Sequence, residues 1–295
     1  MRILVSDDGP AGARLARRLA DAGHAVVADA GGARPGAIVA AISGPDGVER
    51  VRGLRRAHPG VPVLALTRVP FPDIAMAEDL KISLAFPGFG GGDDCPGARR
   101  PRYPLALPGT VVGPLAGAPR PEDTRFVEML RAAGIRASAR AEMQLWLTVA
   151  AAWLSPLRGA VVAAAQQGLA LVAKEDLITV AARAVRERLH LARTAGLPLD
   201  AGTVPMLLMP ESWTAGRVRE IARALLVAPD LPSLPTSEEA VKVRERLEPL
   251  ARSAGVRTPA ADFLDGFAAE DAQACAPSAA REPVEAGESR RSARR

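Results

Sequence analysis

The period of the apolar residues changes once along this chain, and that change limits the folds open to it. Up to about residue 118 they come in short runs separated by glycine and proline, among them residues 3–5, 25–28, 37–42 and 61–66. Beyond that point they recur at helical spacing over residues 121–133, 141–154, 156–168, 174–195, 212–226 and 237–253. Gly134, Gly168, Gly196 and Gly255 stand where these helices should stop. A run of strands followed by a run of helices points to an α/β half joined to a helical half.

The first segment has a readable order. Residues 2–28 give a strand, a turn, a helix ending at Gly23 and a second strand; Leu15, Ala16 and Leu19 share one helix face, and Arg14, Arg17 and Arg18 fall on the other. This is the start of a βαβ unit. The strand at residues 37–42 follows after only the Gly/Pro-rich link 30–36, which is too short to hold a crossover helix. A helix over residues 48–57 and a strand over 61–66 complete a second unit. The expected fold class is therefore α/β: a shortened Rossmann-like parallel sheet over residues 1–118, followed by an all-helical C-terminal domain over 119–267. Residues 268–295, rich in Ala, Pro, Glu, Ser and Arg without periodicity, read as a disordered basic tail.

A chain of 295 residues can bury a core of this size. Its net charge of +5 arises from 35 arginines and only 3 lysines, and the ending Ser289-Arg-Arg-Ser-Ala-Arg-Arg295 carries four of the arginines. Without that ending the body is nearly neutral. Aromatic residues make up 3% and the arginines are scattered, so no nucleic-acid partner is expected. Cys95 and Cys275 lie far apart without metal-ligand spacing, which argues against a disulfide framework or a zinc site and for a reducing, cytoplasmic setting. The chain begins with an apolar strand rather than a charged leader, so no signal peptide is expected. The apolar segment 160–173 is broken by Gln166-Gln-Gly168 and is too short for a bilayer, so no membrane partner is expected either.

The turn after the first strand bears on cofactor binding. A dinucleotide turn uses three glycines: one for the bend, one for close approach to the pyrophosphate and one for helix–strand packing. Here Asp7, Gly9 and Gly12 hold those positions. An aspartate beside a pyrophosphate adds like-charge repulsion of about 1 kcal/mol. The plainer reading is that Gly9 and Gly12 only serve the bend. After the second strand both Asp29, which would favour NAD, and Arg34, which would favour NADP, are present, so the choice stays open. Ile3-Leu-Val-Ser-Asp-Asp8 and Leu54-Arg-Arg-Ala-His-Pro-Gly-Val-Pro-Val-Leu-Ala-Leu-Thr67 also resemble a response-regulator receiver domain. Its phospho-accepting aspartate would fall near Ala41, so that resemblance implies at most a pseudo-receiver signalling domain.

Phe86-Pro-Gly-Phe-Gly-Gly91, Val112-Gly-Pro-Leu-Ala-Gly117, Ala133-Gly-Ile135, Met143-Gln-Leu-Trp-Leu-Thr-Val-Ala-Ala-Ala-Trp-Leu-Ser-Pro156 and Ala254-Gly-Val-Arg-Thr-Pro259 together resemble the ketopantoate reductase (2-dehydropantoate 2-reductase) family over residues 1–265. The resemblance implies NADP-dependent reduction of a 2-oxo acid or related carbonyl in a cleft between a Rossmann half and a helical half. It places Gly9, Gly12 and Arg34 on the cofactor, Trp146 and Glu220 in the substrate cleft, and Thr148 where the family has its catalytic lysine. A small-molecule substrate and a homodimer follow from the same resemblance. An ammonium supplies charge and a proton to a developing alkoxide; a threonine hydroxyl offsets no charge, and its loss is worth several kcal/mol by analogy with deleted oxyanion donors. The family histidine position reads Ala150, and its asparagine position reads Thr67-Arg68. The alternative is a non-redox protein reusing the cleft for binding, assembly or a non-hydride reaction. Trp146 and Trp153 read equally as core residues, Glu187 and Glu220 as partners in solvated ion pairs, and no serine or cysteine nucleophile stands at readable spacing from His24, His58 or His190.

Overall fold

The computed structural model describes residues 1–6, 10–28, 34–42, 45–68, 80–87, 109–200, 202–227 and 234–275. Seven strands form one sheet: β1 (Arg2–Ser6), β2 (Ala25–Val27), β3 (Ala37–Ala41), β4 (Val63–Leu66), β5 (Ser83–Phe86), β6 (Thr110–Gly113) and β7 (Ala137–Ala139), in the order β2-β1-β3-β4-β5-β6-β7. The first five are mutually parallel, β6 runs antiparallel to β5, and β7 is parallel to β6. Residues 28–36 lead from β2 across β1 to β3. A link of that length reaches about 30 Å when extended, enough to return along a short strand and step over its neighbour. The expected shortening of the sheet therefore holds. The order of the first five strands suits a pseudo-receiver as well as a shortened Rossmann sheet, and Ala41 closes β3; the continuation through β6 and β7 exceeds a receiver.

Alternation along each strand divides the core. Ile3, Val5, Val39, Leu64 and Ala85 face one side, where Leu15 and Leu19 of α1 (Pro10–Asp21) and Phe126, Val127 and Leu130 of α3 (Pro121–Ala132) cover them. Leu4, Ile38, Val63, Ala65, Leu84 and Phe86 face the other side, beneath Val48 and Val51 of α2 (Pro45–Ala57) and Met143, Trp146 and Leu147 of α4 (Met143–Gln166). Burial on both faces explains why these strands read as continuous apolar runs. The same cluster continues from the sheet into the helical half, so the two halves share one core. That half comprises the rest of α4, a 3-10 turn at Leu171–Ala173, α5 (Glu175–Thr194), α6 (Val204–Leu208), α7 (Glu211–Val227), α8 (Ser237–Ala254) and α9 (Pro259–Cys275).

Several boundaries differ from the sequence reading. The sheet does not end at residue 118, because α3 packs on it and β7 pairs with β6; the purely helical part begins at Met143. The helices expected over 141–154 and 156–168 are a single helix that runs through Pro156. Proline normally breaks a helix by removing an N–H and clashing with the preceding turn. Here Ser155 Oγ lies 3.5 Å from the Ala152 carbonyl, the acceptor that Pro156 leaves without a helical donor. Joined in this way, α4 is long and apolar enough to cross a membrane by length and composition, but most of it is buried inside the protein. The tail expected from residue 268 does not begin there, since α9 continues to Cys275. Residues 276–295 lie outside the described residues.

The Val112-Gly-Pro-Leu-Ala-Gly117 motif has a local role. The carbonyls of Pro114 and Leu115 accept from the amides of Met143 and Gln144, and the Gly117 amide donates to Glu142 Oε1 at 3.0 Å. The loop thus satisfies donors at the start of α4 that have no partner within the helix. A Cβ on Gly113 would stand 1.9 Å from the Arg140 carbonyl, so β6 can approach residue 140 only as glycine.

Gly159 plays the same part between helices, since a Cβ there would meet the Leu264 carbonyl of α9 at 2.1 Å. Gly159→Ala should lower stability by about 3 kcal/mol, read as a fall in the urea midpoint. Gly53→Ala, at an exposed position of α2 with nothing near the added methyl, should instead raise stability by about 0.5–1 kcal/mol.

Candidate functional site

In open parallel sheets, ligands bind beyond the carboxyl ends of the strands where the strand order reverses. Here that point lies between β1 and β3, and α1 starts at Pro10, directly after β1. Gly12 is buried in the first turn of α1. Gly9, Asp7, Asp8 and Asp29 lie outside the described residues. Arg34 is exposed at the entry to β3, where its Nη2 donates to the Pro59 carbonyl at 2.6 Å. A helix N-terminus with a glycine in its first turn suits a pyrophosphate group, so this corner of the fold fits the phosphate end of a dinucleotide.

Two strands further along, the helical half meets the sheet through charge. Arg68, just past the end of β4, donates from Nη2 to Glu239 Oε1 at 3.2 Å, and its Nε stands 3.1 Å from Oε2. Glu239 belongs to the first turn of α8, where it also accepts from the Thr236 amide at 2.8 Å while Thr236 Oγ1 accepts from the Glu239 amide at 3.2 Å. One carboxylate therefore closes a capping box and grips the Arg68 fork. Glu239 was not singled out from the sequence. Thr236-x-x-Glu239 was a readable capping signal, but the partner 171 residues away was not.

Phe86, the last residue of β5, meets the Trp146 ring edge to face with centroids 5.2 Å apart. Trp146 is buried in the core, as its plainer reading expected, with its ring against the end of β5. Its Nε1 donates to Asp200 Oδ2 at 3.0 Å, and Arg140 lies 3.4 Å from the same oxygen. Asp200 Oδ1 accepts from the amides of Gly202 and Thr203. Burial works against ionisation of Asp200, yet the hydrogen bonds from Trp146, Thr203 and Gly202 outweigh it and hold its pKa below the ordinary carboxylate value.

Thr148 is half-buried on α4, and its Oγ1 donates to the Gln144 carbonyl at 2.8 Å. A hydroxyl has one proton. In this arrangement Thr148 offers a ligand only lone pairs. None of the lysines is on α4: Lys174 stands 3.8 Å from Asp176, Lys242 pairs with Glu238, and Lys81 is exposed. Glu220 lies on α7, paired at 2.9 Å with Arg217, whose guanidinium sits 5.3 Å over the Trp213 ring. Glu239 reaches Arg68 beyond β4, whereas Glu220 pairs within its own helix. Trp153 is core, and Glu187 accepts from the amides of Ala260 and Ala261 at the start of α9.

No protein-family model and no curated protein sequence matches this chain. Solved structures do match its fold. A D-mandelate dehydrogenase in complex with NADH superposes with a TM-score of 0.62 at 12% identity, covering 93% of this chain and 99% of that one. The 2-dehydropantoate 2-reductase of Geobacter metallireducens GS-15 gives 0.58 at 14% identity, covering 92% and 100%. A dimeric ketopantoate reductase from Staphylococcus aureus gives 0.53 at 13% identity, covering 93% and 99%. The chain therefore has a two-part dehydrogenase fold, a Rossmann-like sheet joined to a helical half. More particularly, it has the fold of the ketopantoate reductases across nearly its whole length.

The depressed Asp200 pKa has a signed consequence. Its carboxylate contributes stability above the unfolded-state value, and that contribution is lost as pH falls through the lower folded value. Asp200→Asn should therefore cost about 2 kcal/mol at pH 7, with the difference from the parent protein shrinking below the ordinary aspartate pKa of about 3.9. Urea unfolding at pH 7, 5 and 3, followed by far-UV circular dichroism, measures it.

Proposed function

We propose that this chain is a divergent member of the ketopantoate reductase family, a cytoplasmic protein that binds a nicotinamide dinucleotide and a small 2-oxo acid or related carbonyl where its two halves meet. One observation carries the reading: the helical half closes on the carboxyl ends of the parallel strands, with Glu239 on Arg68, two strands along from the β1 switch point. Gly9 and Gly12 would let the backbone approach the pyrophosphate at the α1 N-terminus. Arg34 gives one donor to Pro59 and has others for the adenosine-side phosphate of NADP. A 2-oxo acid brings a carboxylate of its own, which would compete with Glu239 for the Arg68 fork. A homodimer, the state named for the Staphylococcus aureus reductase of this fold, is the matching assembly.

The nicotinamide would supply the hydride, and this chain's residues would have to supply charge and a proton at the carbonyl oxygen. Thr148 holds its only proton against Gln144 and carries no charge. Reduction should therefore be slower by about two orders of magnitude or more than with an ammonium at this position. The same observation favours a second reading, in which the junction binds its ligands without redox chemistry.

Two measurements separate these readings. Titration with NADPH, followed by cofactor fluorescence, should show saturable binding, and the absence of binding at about millimolar NADPH would dismiss the reductase ancestry as a guide to function. In Thr148→Lys, oxidation of NADPH by a 2-oxo acid should rise about 100-fold over the parent protein. Binding of NADPH with no gain in Thr148→Lys would leave the non-redox reading standing.

A further inference from the structure

We propose that the helical half carries a second ligand site, a cavity that takes a small, multiply charged oxyanion. The cavity, of about 880 Å³, opens between α5, α8 and α9 and is lined by Arg188, Arg244, Arg252 and Arg257 together with Glu248 and Asp262. That volume is in the range of small-molecule sites. Arg68, Glu239, Trp146 and Asp200 of the junction are not among the cavity's lining residues, and the lining residue nearest Glu239 on α8, Arg244, lies five residues on, roughly 8 Å along the helix. The cavity is thus a different place from the strand-end junction, and nothing in the proposed nucleotide binding uses it.

Arg188 forms the floor. It is 2% exposed, and its Nη2 donates to Asp265 at 2.5 Å and to Asp262 at 3.4 Å. Its Nε is buried and has no partner, and neither does Asp265 Oδ1. A buried donor without an acceptor is destabilising, and Arg188, a residue of the cavity lining, carries one. Asp265 is already paired with Arg188 through Nη2, and burial pushes its carboxyl up against the pull of Arg188 and Arg244. The nearby Glu187 is occupied by the first amides of α9.

The rim adds the charge. Arg244, Arg252 and Arg257 are exposed, and no ion pair joins them to another described residue. Unlike the arginines of the junction, they have no carboxylate in their forks. Even with Asp265 counted behind the floor, the arginines outnumber the carboxylates. Guanidinium forks match the planar, two-oxygen edges of carboxylate and phosphate groups. A polycarboxylate or a phosphate-bearing small molecule fits this arrangement.

Isothermal titration of the whole protein at low salt, with citrate in one arm and inorganic phosphate in the other, tests the proposal and separates the two chemistries. Saturable one-to-one binding of at least one probe is expected. The double variant Arg252→Ala, Arg257→Ala should weaken it about tenfold or more while leaving the circular dichroism spectrum and NADPH binding unchanged. Because these arginines are on the rim, the variant tests the site without removing the buried floor. No saturable heat from either probe at about 10 mM, or equal affinity in the parent protein and the rim variant, would overturn the proposal.

Discussion

The burial of α4 is the constraint on which the rest of this structure depends. Its first turns press Met143, Trp146 and Leu147 onto the sheet, and its later turns lie among α5, α8 and α9. A proline in a helix interior costs about 3 kcal/mol, whereas full burial of a leucine contributes about 2 kcal/mol. Leu147, Leu154 and Leu157, each at most 1% exposed, outweigh Pro156 by themselves. Continuity through Pro156 is therefore a tertiary result, imposed by packing against the local preference of the sequence.

With α4 shared, the relative placement of sheet and helices is fixed by apolar contact, and the polar contacts at the junction serve a different purpose. The Arg68–Glu239 pair is only partly exposed, at 25% and 6% of the two side chains. Partly buried ion pairs regain little more than their desolvation cost, so this one is a poor source of stability. It orients two ionised groups at the strand ends.

Much of this was legible in the sequence, and the failures share a physical cause. The strands up to Leu66, the missing crossover before Ala37 and the glycine stops were readable because each depends on residues close in the chain; Gly134, Gly168, Gly196 and Gly255 all have φ between 64° and 77°. The membership of α3 and β7 in the sheet was not readable, because an amphipathic helix carries no mark of whether its partner is a sheet or another helix. Nor were the pairings Arg68–Glu239 and Trp146–Asp200, 171 and 54 residues apart, since nothing local distinguishes a carboxylate that crosses the junction from one, such as Glu220, that pairs one turn away. Asp200-Ala-Gly202-Thr203 did contain a turn signal: the Asp200 side chain accepts from amides two and three residues on. Its second role, toward Trp146, comes only with the fold.

Thr148 shows how little the fold asks of a half-buried position on α4. The demands of α4 on its buried faces are met by alanine, leucine, valine and tryptophan, and Thr148 stands half-buried between them. A threonine on a helix satisfies its own hydroxyl by donating to the carbonyl four residues back, as Thr148 does to Gln144, so packing loses nothing that a lysine would have supplied. The position contributes little to folding. A chain can therefore share this fold at 12–14% identity, with the buried faces of α4 kept apolar and its half-buried positions left free of any requirement of stability.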